Sequence, residues 1–178
     1  MDEVEKFELD KILIEHEGLK LHPYYCSAGF LTIGIGRNLD TNPLTFKEML
    51  IIKKRDPQWV LGQSPITVDE AIMLLHNGVE YVIGWLRNVI EGFDSFETGR
   101  RFALIDLGFC LGRNKFLTFR KMRREIGLAR WEEAAAEILD SNWAKQVQKS
   151  RVDDDTYMMR IGELPERFQY HPRIHTND

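Results

Sequence analysis

Leu9, Ile12, Leu13 and His16 recur at i, i+3, i+4 and i+7, which predicts an amphipathic helix over residues 4–16. Gly18 suits the left-handed position that follows a helix end, so this helix should stop near Glu17 and leave its carboxylate at the terminus. Residues 19–25 read as a short aromatic-rich strand, with Pro23 confining it to a sheet edge. Residues 26–29 have the length of a hairpin turn, and residues 30–35 read as a returning strand. Such a hairpin would swing Cys26 and Thr32 back beside Glu17. Residues 37–65 are irregular, with a short helix expected over 45–55 between Asn42-Pro43 and Asp56-Pro57.

The clearest helix opens at Thr67, an N-cap residue with Glu70 three positions on as in a capping box. Val68, Ile72, Leu75, Val79, Val82, Leu86 and Ile90 keep a three-and-four rhythm, so the helix should exceed about 30 Å in length. Gly78 and Gly84 each cost it about 1 kcal/mol relative to alanine, so packing must hold it. Residues 94–97 mark a break and a cap. Residues 102–111 are apolar nearly all round and predict a helix buried on most sides, in which the lone Asp106 reads as a satisfied core or site-facing group. A turn at 112–116, helices over 118–126 and 129–139, and one more helical stretch after Trp143 complete the pattern. Residues 163–178 carry Pro165 and Pro172 without periodicity and are expected to form a surface tail.

Composition changes this picture little. With 178 residues, 29% charged and 43% hydrophobic, the chain suits a folded, water-soluble protein of one domain with two lobes rather than a disordered one. A net charge of −4 gives no electrostatic case for nucleic acid, and the basic clusters at 53–55 and 120–124 read as solvated helix faces. No apolar run reaches the length of a membrane span, and the acidic start 1–5 lacks the basic and apolar pattern of an export signal. Two cysteines, Cys26 and Cys110, make no disulfide framework and fit a reducing compartment. No metal site is expected, since Pro172 between His171 and His175 argues against a helical pair. No cofactor is expected either. Gly34-Ile35-Gly36 lacks the third glycine of a dinucleotide loop, and its glycines read as positions where another backbone or a ligand approaches the strand closely.

The chemistry-bearing stretch is therefore 17–36. A glutamate flanked by aromatics and partly withdrawn from water can stay protonated near neutral pH and donate to a leaving oxygen. Glycosidic cleavage needs such an acid and usually a second group as base or nucleophile. The candidates opposite Glu17 are Cys26 and Thr32.

The segments Ile14-Glu15-His16-Glu17-Gly18-Leu19-Lys20-Leu21, Tyr24 and Thr32-Ile33-Gly34-Ile35-Gly36 resemble the signature of the phage T4-type lysozymes, glycoside hydrolase family twenty-four. Glu17, Cys26 and Thr32 match the spacing of that family's glutamate, aspartate or cysteine, and threonine. The resemblance runs from about residue 7 to 151, through 67–71, 100–109 and 130–143. It implies an α+β, mainly α, lysozyme-like two-lobed fold: a sheet lobe over about 18–66, a linking helix over about 68–91, and a helical lobe over about 92–162 that includes the N-terminal helix.

By the same resemblance Glu17 is the general acid, Cys26 stands where an aspartate more commonly activates or positions water, and Thr32 helps hold that water. A free cysteine has a pKa of about 8.5, so Cys26 acts as base or nucleophile only as a thiolate, and as a neutral thiol only packs and weakly hydrogen-bonds. Arg37 stands where many members carry histidine and could reach substrate or a surface acid. Phe109 matches a residue near the family's cleft. Arg151, with one residue inserted, or Lys149 would be the basic partner of the acid. Cys110 reads as a small core hydrophobe.

The implied function is a monomeric muramidase that cuts peptidoglycan polysaccharide between N-acetylmuramic acid and N-acetylglucosamine and lyses the host at the end of phage infection. The expected location is the host cytoplasm, with a separate holin opening the way to the wall. The rival expectation is a lysozyme-like protein that binds peptidoglycan or a protein partner without cutting it.

Overall fold

The computed structural model describes residues 1–26, 29–52 and 65–171. Its order is α1 (Glu3–Glu17), β1 (Lys20–Tyr25), β2 (Leu31–Gly34), β3 (Arg37–Asn38), α2 (Phe46–Ile51), α3 (Val68–Val89), α4 (Thr98–Phe116), α5 (Arg120–Gly127), α6 (Trp131–Leu139) and α7 (Lys149–Ile161). Short 3-10 turns lie at Phe93–Ser95 and Glu166–Phe168. The fold is thus α+β and mainly α, as expected. The chain divides into two compact units, one of residues 17–85 and one of residues 1–16 with the chain from Leu86 onward.

In the first unit the strands form an antiparallel sheet of order β1-β2-β3. Tyr24 pairs with Thr32 and Thr32 with Asn38, so these three residues share one face, while a register shift interrupts β1 between Lys20 and Tyr24. Strand β3 goes beyond the hairpin read from the sequence. Ile33, Ile52, Ile66, Ala71 and Leu74 form the core beneath the sheet, flanked by Leu21, Leu39, Leu44 and Met73. Both capping boxes are present: Thr45 with Glu48 starts α2, and Thr67 with Glu70 starts α3. Helix α2 ends at Ile51, and the rest of the expected 45–55 helix lies outside the described residues. Helix α3 spans 22 residues, about 33 Å at 1.5 Å per residue.

In the second unit α4 contributes Phe102, Ala103, Leu104, Ile105 and Leu107, all essentially without solvent exposure. The expected turn at 112–116 is a break at Gly112 (φ 69°, ψ 161°) followed by a further helical turn to Phe116. Of the expected surface tail over 163–178, residues 163–171 are packed, and 172–178, which include Pro172 and His175, lie outside the described residues. Leu164 and Phe168 are buried, Phe168 stacks edge-on against His16 with centroids 6.2 Å apart, and Tyr170 meets Phe7 at 5.8 Å. Lys11 donates to the Arg167 carbonyl and Glu8 accepts from the Tyr170 amide, which ties this segment along α1. Among the described residues no helix is long and apolar enough to cross a membrane.

Candidate active site

Glu17 is the last residue of α1, and Gly18 follows it at φ 74°, the left-handed conformation that its lack of a Cβ permits. The half-buried side chain turns toward the sheet unit: a Cβ built on Gly36 would stand 2.7 Å from Glu17 Oε2. The glycine at 36 therefore makes room for the carboxylate: the Gly-Ile-Gly pattern suggests a backbone or a ligand close to the strand, and what stands there is the Glu17 side chain. Its φ of 67° also disfavours any other residue. Gly36→Ala should consequently displace Glu17 and add backbone strain, lowering stability by about 1–3 kcal/mol. Thermal melts of the variant beside the unaltered protein check this, and an unchanged melting temperature would show that position 36 tolerates a Cβ against the carboxylate.

Cys26 follows β1 and is half-buried. Its amide donates to the Phe30 carbonyl at 2.9 Å and its carbonyl accepts from the Gly29 amide at 2.8 Å, which closes the hairpin around it. Thr32, only 4% exposed, donates its hydroxyl proton to the Phe30 carbonyl at 3.0 Å. That bond occupies the one hydroxyl proton, so toward any further partner Thr32 Oγ1 is an acceptor.

Tyr24, opposite Thr32 in the sheet, links the group. Its phenol is pushed above the ordinary tyrosine value by burial first, then by the charges of Glu17 and Cys26, which places all three in one electrostatic neighbourhood. Lys20 Nζ lies 4.0 Å from the Tyr24 ring centroid, a cation-π contact at the edge of this cluster. Tyr24 is part of the quoted signature, but nothing in its spacing distinguishes it from the other aromatics of β1.

Arg37 is placed differently from a substrate-reaching group. It is buried, and donates from Nε to Asn42 O at 2.8 Å and from Nη2 to Pro43 O and Glu48 Oε2, both at 3.0 Å. Glu48 also accepts from Asn77 at 2.9 Å, so Arg37 braces β3 to α2 and α3. Burial would raise the Glu48 carboxyl, but the Thr45 amide, Asn77 and Arg37 outweigh it and hold it below the usual range.

Phe109 and Arg151 belong to the other unit. Phe109 is half-buried on α4. Arg151 Nε and Nη2 make a paired contact with Asp106 Oδ2 and Oδ1, each 2.8 Å, and both side chains are essentially buried. Lys149, the alternative basic residue, pairs with Asp153 on the surface. Cys110 is half-buried and accepts from Trp143 Nε1 at 3.4 Å.

His16 completes this buried set. Its Nε2 bonds Asp154 Oδ2 at 3.0 Å, and its Nδ1 faces Asp106 Oδ2 at 3.2 Å in a charge contact rather than an aligned hydrogen bond. Burial would lower the imidazolium pKa, but Asp106 and Asp154 outweigh it and raise it to about 9. Arg167 joins Asp154 to Glu15. Periodicity placed His16 correctly on the inward stripe but carried no sign of its charge. Among the described residues no group of His, Cys, Asp or Glu is arranged to hold a metal.

The chain is 26% identical over 152 residues to "Probable T4-type lysozyme 2" of Dictyostelium discoideum, covering 79% of this chain and 87% of the relative. It is 27% identical over 141 residues to "Probable T4-type lysozyme 1" of the same organism, covering 73% and 81%. It is also 24% identical over 169 residues to the "Pre-baseplate central spike protein Gp5" of Enterobacteria phage T4, covering 92% of this chain but 29% of that protein. Residues 14–153 match the family described as phage lysozyme, and the chain belongs to that family.

Proposed function

We propose that the chain is a muramidase, hydrolysing the bond between N-acetylmuramic acid and N-acetylglucosamine in peptidoglycan. The observation that carries this reading is the convergence of Glu17, Cys26 and Tyr24 in one electrostatic neighbourhood, beside a threonine whose hydroxyl is left as an acceptor. Glu17, as a carboxylic acid, gives its proton to the glycosidic oxygen while the bond from the sugar carbon to that oxygen breaks. Water attacks the electron-poor carbon, and Cys26 as thiolate takes the proton that the water loses. Thr32 Oγ1 accepts the water's second hydrogen and so orients it. The buried Arg37 brace holds the strand that carries Gly36 at its edge and thereby supports the acid without touching sugar. In a phage setting the activity would end infection by lysing the host, with the protein accumulating in the host cytoplasm and a holin admitting it to the wall.

The test is release of soluble fragments from purified Gram-negative peptidoglycan by the unaltered protein, Glu17→Gln and Cys26→Ser between pH 5 and 9. The unaltered protein should release disaccharide-peptides and Glu17→Gln should not. Cys26→Ser should lose about 10²-fold or more of the rate at the alkaline side of the profile, because a serine hydroxyl does not ionise in this range. A Cys26→Ser profile that overlays the original would remove the thiolate from the mechanism. Sedimentation with the wall without any release would replace the hydrolase reading with a binding one.

A further inference from the structure

Asp155 on α7 is wholly buried, and neither of its carboxyl oxygens meets an N–H or O–H donor. An ionised carboxylate in that position would lack every compensating bond, at a cost of several kcal/mol. The group it meets is the side chain of Asp106, which already accepts two bonds from Arg151 and faces His16. Two carboxyls in contact away from water cannot both carry charge, and one proton between them relieves the repulsion. The arrangement decides which one keeps it: Asp106 has the cations, Asp155 has none bonded to it.

We propose that Asp155 is a positioning residue carried as a neutral carboxylic acid, donating its proton in a hydrogen bond to Asp106. Around this pair, His16 from α1 and Arg151 from α7 face Asp106, and Cys110 from α4 acts on Asp155, with Asp154 of α7 on the far side of His16 and Arg167 of the Glu166–Phe168 turn on Asp154. Fixing the Asp106 carboxylate fixes what it holds. It grips Arg151 on one side and His16 on the other, and His16 immediately precedes Glu17 in the last turn of α1. Asp155 thus acts on Glu17 through Asp106 and His16 and touches no substrate. Burial and the Asp106 charge push the Asp155 carboxyl well above the usual range, in the same direction.

The positioning role in catalysis rests on the muramidase reading, whereas the protonation state does not. Infrared difference spectra at pH 7 between the unaltered protein and Asp155→Asn should show a protonated carboxyl in the former that is missing from the latter. The His16 titration, followed by imidazole NMR, should move by less than about 0.3 unit in Asp155→Asn, since a neutral group replaces a neutral group. No protonated carboxyl at pH 7, or a His16 midpoint lowered by about one unit or more, would show that Asp155 is charged and overturn the proposal. For positioning, Asp155→Leu should shift the Glu17 amide resonance and lower kcat about tenfold at similar KM, and Asp155→Asn should restore both. If Asp155→Leu leaves the Glu17 resonance in place, the positioning role falls. Should the unaltered protein cut no wall, the muramidase reading falls, and the carboxyl, His16 and Glu17 resonances still decide this proposal. Should Asp155→Leu fail to fold, restoration is read from Asp155→Asn alone, where a displaced Glu17 resonance overturns it.

Discussion

Glu17→Gln is expected to lower peptidoglycan hydrolysis by about 10²–10⁴-fold, the contribution of a general acid, while leaving the fold intact. The amide has the same shape as the carboxylic acid and still fits the space above Gly36, where the carboxylate lies. What it lacks is a proton to give to the departing oxygen. Because Glu17 is half-buried at a helix end and not part of the core, the melting temperature should stay within a few degrees of the unaltered value. A second readout belongs to the same variant. The Tyr24 phenol is raised by burial and then by the charge of Glu17, so removing that charge should bring its titration partway back toward the ordinary value. Loss of activity together with a lowered Tyr24 midpoint places Glu17 at both the chemistry and the cluster. Loss of activity with Tyr24 unmoved would separate the two, and full activity would transfer the acid role to another residue.

The residues whose roles were legible in the sequence are those whose job is local. Gly18 ends α1 because only a residue without a Cβ takes the left-handed step easily. Thr67 with Glu70 opens α3 because the two side chains serve each other's amides. The 17–36 block combines local geometry with family resemblance, and the hairpin it predicts is the one observed. What stayed hidden depends on partners distant in the chain. Strand β3 is two residues long, too short for alternation, and exists because Thr32 and Ile33 offer it a paired edge. Arg37 looks like a surface cation until Glu48, eleven positions on, is seen to turn inward with it. Leu164 and Phe168 sit on either side of Pro165, which erases any helical rhythm, yet both are buried. Hydrophobic periodicity registers burial and is blind to charge, so His16 and Asp106 were found as inward-facing positions while their ionic partnership with Asp154 and Arg151 was not.

That partnership leads to the other large effect, on stability. Asp106→Leu should destabilise the protein by about 3–5 kcal/mol, the cost of removing one partner from a buried ion pair and leaving the other uncompensated. Here two cations lose a partner at once, Arg151 and protonated His16. The pH dependence gives the sign. In the folded protein the His16 pKa is raised from 6.5 to about 9, so the folded state holds its proton more tightly than the unfolded chain does. The resulting stabilisation is fully present below about pH 6.5 and is lost as the pH rises through about 9, with a span on the order of 3 kcal/mol. Unaltered protein should therefore show a melting temperature that falls over this window. In Asp106→Leu the remaining carboxylate of Asp154 must hold the imidazolium alone against its burial, so the curve should start lower and fall less. Melts from pH 5 to 10 on both proteins measure the two effects together. A flat curve for the unaltered protein would mean that the fold holds the His16 proton no more tightly than the unfolded chain does, and the ionic tie of His16 to Asp106 and Asp154 would then add nothing to stability.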